Sequence, residues 1–273
     1  MSYRTILVHI DASPAAHARI ALAAQLACEH GAHLVGVAVT GVSRLFYQEA
    51  SADLLRTVLA PQMNELVRRA ERELARFARQ AARAGVPSHE TRLVDDETSA
   101  GIALSGRYAD LLVVGQADPA LPQPPGGDPA PHVLLACPRP LLVVPYIQHE
   151  AATGRRVLLA WNGSPEAVRA LDAALPILRR AASVTVACFV PPSAPGCDPA
   201  LAPYLARHGV DIDTIAESAH QDIGERLLSL LADHGSDLLV MGGYGRARLS
   251  ELLLGGATRT MFQSMTVPVL MAH

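Results

Sequence analysis

Short runs that are apolar at nearly every position alternate along this chain with longer stretches in which apolar residues recur every three or four places. The first run is Thr5-Ile6-Leu7-Val8-His9-Ile10. A strand apolar on both sides must be covered on both faces, as in a parallel sheet flanked by helices. Ser13 and Pro14 then supply an N-cap and a first helical residue, and Ile20, Ala23, Leu26 and Ala27 share a helical face before Gly31 stops it. Further strands are predicted at His33 to Thr40, Ser88 to Val94, Asp110 to Gly115 and Arg139 to Pro145. Helices are predicted from Met63, where Leu66, Val67, Ala70, Leu74, Phe77, Ala78 and Ala81 keep helical spacing, and around Thr98 to Tyr108. Residues 41–61 read as a loop with at most a short helix. Gln116 to Pro131 is too rich in Pro and Gly for regular structure.

After a polar linker, Gln148 to Arg155, the grammar restarts. Arg156 to Pro165 repeats Thr5 to Pro14 almost position for position, Asp237 to Gly242 repeats Asp110 to Gly115, and Val267 to Leu270 repeats Arg139 to Leu142. Three matches in one order make a tandem duplication. Within the second copy the pattern predicts a helix with Val168, Leu171, Leu175 and Leu178 on one face and a kink at Pro176. Beyond it come strands Val184 to Val190 and near Val210 to Ile215, and a helix with Ile223, Leu227, Leu230 and Leu231. The expected architecture is α/β: two tandem open parallel sheets with helices on both faces, in domains spanning residues 1–147 and 154–273.

Composition narrows the chemistry. All 23 positive residues are Arg. Without Lys there is neither a P-loop nor a pyridoxal Schiff base. A net charge of −3 gives no electrostatic case for nucleic acid. The arginines of the Met63 helix are interleaved with Glu65, Glu71 and Glu73, as on a solvated face. Cys28, Cys137, Cys188 and Cys197 lack C-x-x-C or metal-ligand spacing, which fits a reduced, cytosolic protein. His30 and His33, with two residues between them, have no nearby carboxylate or Cys partner in a ligand pattern, so no metal site is expected. No signal peptide and no membrane span are expected either.

The chemical candidate is Gly242-Gly243-Tyr244-Gly245, followed by Gly255-Gly256-Ala257-Thr258, directly behind the apolar run Asp237 to Met241. Glycine admits close backbone approach, and a helix N-terminus offers unpaired N–H groups to an anion, so the stretch reads as a phosphate bed. An ordinary strand-to-helix turn would look similar. A nicotinamide fingerprint is absent, because Gly243-x-Gly245 has Arg248 at the third position.

Each half resembles a universal stress protein domain, on the strand-Asp/Asn-x-Ser opening, the Asp-Leu-Leu-Val-x-Gly fourth strand and the run from Gly242 to Gly256. The resemblance implies a five-stranded parallel sheet per repeat, of the adenine nucleotide alpha hydrolase-like kind, with ligand at the ends of the first and fourth strands. It implies ATP, with or without Mg2+, held by Asn162, Gly163 and Ser164, by Phe189 or Val190 beside the base, and by Met241, Gly242, Gly245, Gly255, Gly256 and Ala257 around the phosphates. Arg246, Arg248 and Arg259 are further phosphate candidates or plain surface charges. Gly256 stands where ATP-binding members carry Ser or Thr, and Asn162 where they carry Asp. Asp11 keeps that acid in the first repeat, but Gln116-Ala117-Asp118-Pro119 replaces its glycine loop, so that repeat reads as degenerate and structural. No catalytic motif is visible, so slow ATP hydrolysis is the most to expect. The leading expectation is a cytosolic stress-response protein binding an adenine nucleotide. The alternative is a nucleotide-free scaffold for partners, as an intrachain pseudo-dimer of the repeats or a homodimer.

Overall fold

The structure is a computed structural model that describes residues 2–43, 60–122, 127–148, 153–190, 196–218, 222–245 and 256–273. The chain divides into two compact units, Tyr3–Arg139 and Pro140–His273. Most of the segment 41–61 lies outside the described residues.

The unit Tyr3–Arg139 runs β1 (Thr5–Ile10), α1 (Ala16–His30), β2 (His33–Val39), α2 (Ala60–Arg83), β3 (Ser88–Val94), α3 (Thr98–Gly106), β4 (Leu111–Gly115) and α4 (Pro129–Ala136). Its strands lie in the order β3-β2-β1-β4, all parallel. Ile6, Leu7, Val8 and Leu111 through Val114 are almost wholly buried, as the unbroken apolar runs demand. On α2, Ala70, Leu74, Phe77 and Ala81 are buried while Glu65 pairs with Arg68 and Arg72, so the arginine-rich side is a charge-laced outer face.

The unit Pro140–His273 runs β5 (Leu141–Val144), β6 (Arg156–Trp161), α5 (Pro165–Leu178), β7 (Ser183–Val190), α6 (Leu201–Arg207), β8 (Asp213–Ser218), α7 (Ile223–Asp233), β9 (Leu238–Gly242), α8 (Gly256–Ser264) and β10 (Val269–Ala272). The strand order is β5-β10-β9-β6-β7-β8. Five strands are parallel; β5 runs antiparallel to β10, with Leu142 opposite Leu270. The fifth strand of the first sequence repeat thus completes the second unit.

The Asp that opens each fourth strand ties it to the strand beside it. Asp110 Oδ2 accepts from the Arg4 and Thr5 amides at 2.7 and 3.0 Å. Asp237 accepts from the Gly154, Arg155 and Arg156 amides at 2.9, 3.1 and 3.0 Å.

Several elements differ from expectation. α1 begins at Ala16 rather than at Pro14, because the Ser13 amide and hydroxyl both donate to Asp11 Oδ1, at 2.9 and 2.6 Å, leaving the helix without a side-chain cap. α4 begins inside the Pro-rich stretch: Pro129 and Pro131 sit in its first turn, where no amide is needed, and Asp128 caps it. α5 buries Ala167, Ala170, Leu171 and Ala174, whereas Val168 is 42% exposed; it ends two residues beyond Pro176. A helix, α6, precedes β8, which lies three residues later than the predicted strand.

Cys188 and Cys197 form a disulfide, correcting the all-reduced expectation; Cys28 and Cys137 are free. The nine-residue separation matches no redox or metal motif, so sequence spacing gave no hint of it. Among the described residues no helix is long and apolar enough to cross a membrane.

Candidate functional site

In the second unit the carboxyl ends of β6, β7 and β9 reach one edge of the sheet, where open α/β sheets take ligands. The turn after β6 is built by Asn162 and Ser164. Asn162 Oδ1 accepts from the Ser164 amide at 3.1 Å, and Ser164 Oγ accepts from the Ala167 amide at 3.2 Å, so Ser164 caps α5 with Pro165 behind it. Gly163 between them has φ +70°, the left-handed conformation that glycine takes freely. Asn162 and Gly163 are exposed.

Gly242, the last residue of β9, is pressed against the first turn of α5. A Cβ there would stand 2.7 Å from the Ala167 amide nitrogen and 2.9 Å from Glu166 Cβ, too close for any side chain. The next turn is strained: Tyr244 adopts φ +49°, costly for a bulky residue and characteristic of ligand clamps. Its amide donates to Thr258 Oγ1 at 3.3 Å, and His273 Nδ1 lies 3.1 Å from the Gly243 carbonyl oxygen, which together anchor the loop. Thr258 itself is buried in the first turn of α8.

Gly256 opens α8 with nothing within 4 Å of where a Cβ would stand. Ala257 follows, half-buried, and Met241 is buried just ahead of the glycines. On β7, Phe189 is buried and Val190 half-buried at the strand's end. Gly255, Arg246 and Arg248 lie outside the described residues; Arg259 is exposed on α8.

The first unit holds a different set at the matching positions. Arg19, on α1, is 2% exposed, and its guanidinium fills the space over Gly115, so that any Cβ at that glycine would overlap Arg19 Nη1. Nε donates to the His9 carbonyl at 2.9 Å. Nη2 lies 2.9 Å from Asp11 Oδ2, off the hydrogen-bonding direction, so that contact is ionic. Asp11 is half-buried, and its partial desolvation raises its pKa, but Arg19, His9 and the two Ser13 donors outweigh that and hold it well below the usual carboxylate range. His9 Nδ1 is 3.7 Å from the same carboxylate, yet burial dominates and pushes its pKa down to about 4.

The repeat alignment turns this into a contrast. His9, Asp11 and Arg19 correspond to Ala160, Asn162 and Ala170. One repeat fills the ground over its fourth-strand glycine with a buried ionic cluster. The other has small or neutral residues there, with Ala160 half-buried where His9 is fully buried. Asp11 is therefore engaged by its own helix.

Two residues of the second site were missed in the sequence. Glu166, in the first turn of α5, is 2% exposed and faces the glycine loop; its pattern is that of any acid at a helix start. Thr258 reads as an ordinary helical polar residue.

An open α/β sheet with a glycine turn behind its fourth strand and a helix N-terminus beside it defines a nucleotide-type fold. The universal stress protein family model matches residues 2–145 and 204–273, and the chain belongs to that family. No curated protein sequence matches it. Among solved structures, a universal stress protein from Archaeoglobus fulgidus DSM 4304 superposes with a TM-score of 0.75 at 17% identity, over 97% of this chain and 94% of that one. A putative universal stress protein from Pseudomonas aeruginosa UCBPP-PA14 gives 0.58 at 18% identity, over 98% and 92%. The structure of the universal stress protein from Archaeoglobus fulgidus in complex with dAMP matches with a TM-score of 0.38 at 18% identity, over 52% of this chain and 98% of that one.

Proposed function

We propose that this universal stress protein binds ATP or a related adenine nucleotide through its second repeat and acts as a cytosolic stress-response protein. The observation that carries the reading is the close approach at Gly242. A strand end so near a helix that a Cβ on it would stand within 3 Å of the helix backbone, followed by a strained turn and a glycine-started helix, supports the amides at the start of α8 as donors for an anion. The base would lie against Phe189 and Val190, and the ribose near Asn162, whose amide nitrogen is a donor in place of an acid's acceptor.

The first repeat serves as structure, because Arg19 fills the corresponding ground. Among the described residues the site shows no arrangement of nucleophile and general base, and the reading is of slow hydrolysis at most.

Isothermal titration calorimetry of the purified chain with ATP, AMP and cAMP tests the reading, with Gly245→Val as the control. Saturable binding of at least one adenine nucleotide, lost in Gly245→Val, is expected. Absence of binding at millimolar nucleotide with magnesium sinks the function. Unchanged binding by Gly245→Val sinks the placement.

A further inference from the structure

Glu166 has no counterpart in the first repeat, where Ala15 holds its position, and its two oxygens are unequally served. Oε1 accepts from Arg169 at 3.2 Å. Oε2 is shut away from solvent with no hydrogen-bond partner among the described residues. The start of α5 favours a negative charge, but that does not satisfy the second oxygen, and a buried acceptor without a donor is costly.

Oε2 points at the glycine turn. The place a Cβ would take on Gly245 is 3.7 Å from it, so the carboxylate oxygen is in contact distance of that side of the turn. This is the ground on which the proposed nucleotide would lay its phosphates. Two anionic groups facing each other there repel unless a cation stands between them, the more so as Oε2 is shut off from solvent. Mg2+ suits such a place, since it takes one or two carboxylates together with phosphate oxygens and keeps several waters. It needs no protein cage, and the described residues offer no group of three His, Cys, Asp or Glu that could form one.

We infer that Glu166 Oε2 is the protein's ligand for a divalent cation that enters with the nucleotide's phosphates, so that nucleotide affinity depends on the metal. This rests on the adenine nucleotide reading of the same site. The carboxylate acts as a gate on charge: phosphate alone is repelled, and phosphate carrying its metal is held from both sides.

The test is calorimetry of the full chain and of Glu166→Gln with ATP, in EDTA and in excess Mg2+. Electron paramagnetic resonance with Mn2+ in place of Mg2+ provides a direct readout of the metal. The wild type should bind at least about tenfold more tightly with metal, a difference well outside calorimetric error. Glu166→Gln should bind metal-free ATP more tightly than the wild type, gain little from metal, and lose the nucleotide-dependent bound-Mn2+ signal. Glu166→Ala, run alongside, covers the case in which the Gln variant misfolds.

Equal wild-type affinity with and without metal overturns the inference while leaving the nucleotide site standing, as does a Gln variant that keeps the full metal dependence. No binding of ATP under either condition overturns both.

Discussion

The buried His9 makes the stability of the first unit depend on pH. In the folded chain burial holds the imidazole at about 4, against an ordinary value of 6.5. Between those values the unfolded chain binds a proton that the folded chain refuses, so unfolding becomes easier as the pH falls through the window. The stabilisation is complete above about pH 6.5 and is lost progressively down to about pH 4. At about 1.4 kcal/mol per pH unit, the gap of about 2.5 caps the effect at about 3 kcal/mol, of which about 2 kcal/mol lies between about pH 7 and about pH 4.5. Urea unfolding at those two pH values should show His9→Gln losing about 2 kcal/mol less than the wild type over the same interval. Carboxylates common to both chains cancel in the difference. If the two proteins lose stability in parallel, within about 0.5 kcal/mol, His9 is not buried as a neutral imidazole and the account of its cluster is wrong.

Removing the charge of Arg19 strands the Asp11 carboxylate. Losing one partner of a fully buried pair costs about 3–5 kcal/mol, and because Asp11 keeps 35% of its side chain in solvent, Arg19→Met should cost about 2–3 kcal/mol by denaturant midpoint. Asp11→Asn added to it should recover at least half, and a double variant no more stable than the single one refutes the pairing. Gly256→Ser has open space for its hydroxyl, so it should tighten nucleotide binding by about 0.5–1.5 kcal/mol, read as a severalfold fall in calorimetric Kd. The Cys188–Cys197 bridge closes a short loop of separation 9, worth about 2.5 kcal/mol in the chain-entropy model. Cys197→Ala should lower the unfolding free energy of the non-reduced protein by about that amount and leave the reduced protein unchanged.

How much could be read from the chain depended on how strongly each residue's environment leaves its mark on local pattern. Buried parallel strands are legible because Leu111 to Val114 and Leu238 to Met241 have no polar alternative. Both helix ends at Ser13 and Ser164 look alike in sequence, yet only Ser164 caps. Both serine amides donate to the residue two places before them, but the charged Asp11 also takes the Ser13 hydroxyl, whereas beside the neutral Asn162 the Ser164 hydroxyl accepts from the helix. The seven-residue α6 was invisible because a helix with Pro203 inside it, burying only Leu201 and Leu205, has too few turns to display a period. On α5 the predicted Leu171 and Leu178 are buried, but Ala167, Ala170 and Ala174 share that face and weigh little in a hydropathy pattern, so the exposed Val168 was taken in their place.

The candidate site was legible in its glycines and in its departures at Asn162 and Gly256. Its charged residues were not. An Arg within a helix and a Glu at a helix start are both usual on surfaces, and nothing local distinguishes Arg19 or Glu166 from such cases. The duplication did hold a signal: Arg19 against Ala170 and Glu166 against Ala15 are swaps of a long charged residue for a small one at the mouth of the same strand pair.

The ownership of β5 bears on how the protein melts and how it tolerates change. By sequence repeat, Leu141 to Val144 are the tail of the first copy; by hydrogen bonding they pair with the strand that ends the second. A polar substitution at Leu142, numbered in the first repeat, would therefore be felt as lost cooperativity in the half that carries the glycine turn. A fragment cut at the linker would leave β10 with a bare edge open to wrong partners. The repeat boundary in the sequence and the boundary between the compact units therefore fall at different places in the chain.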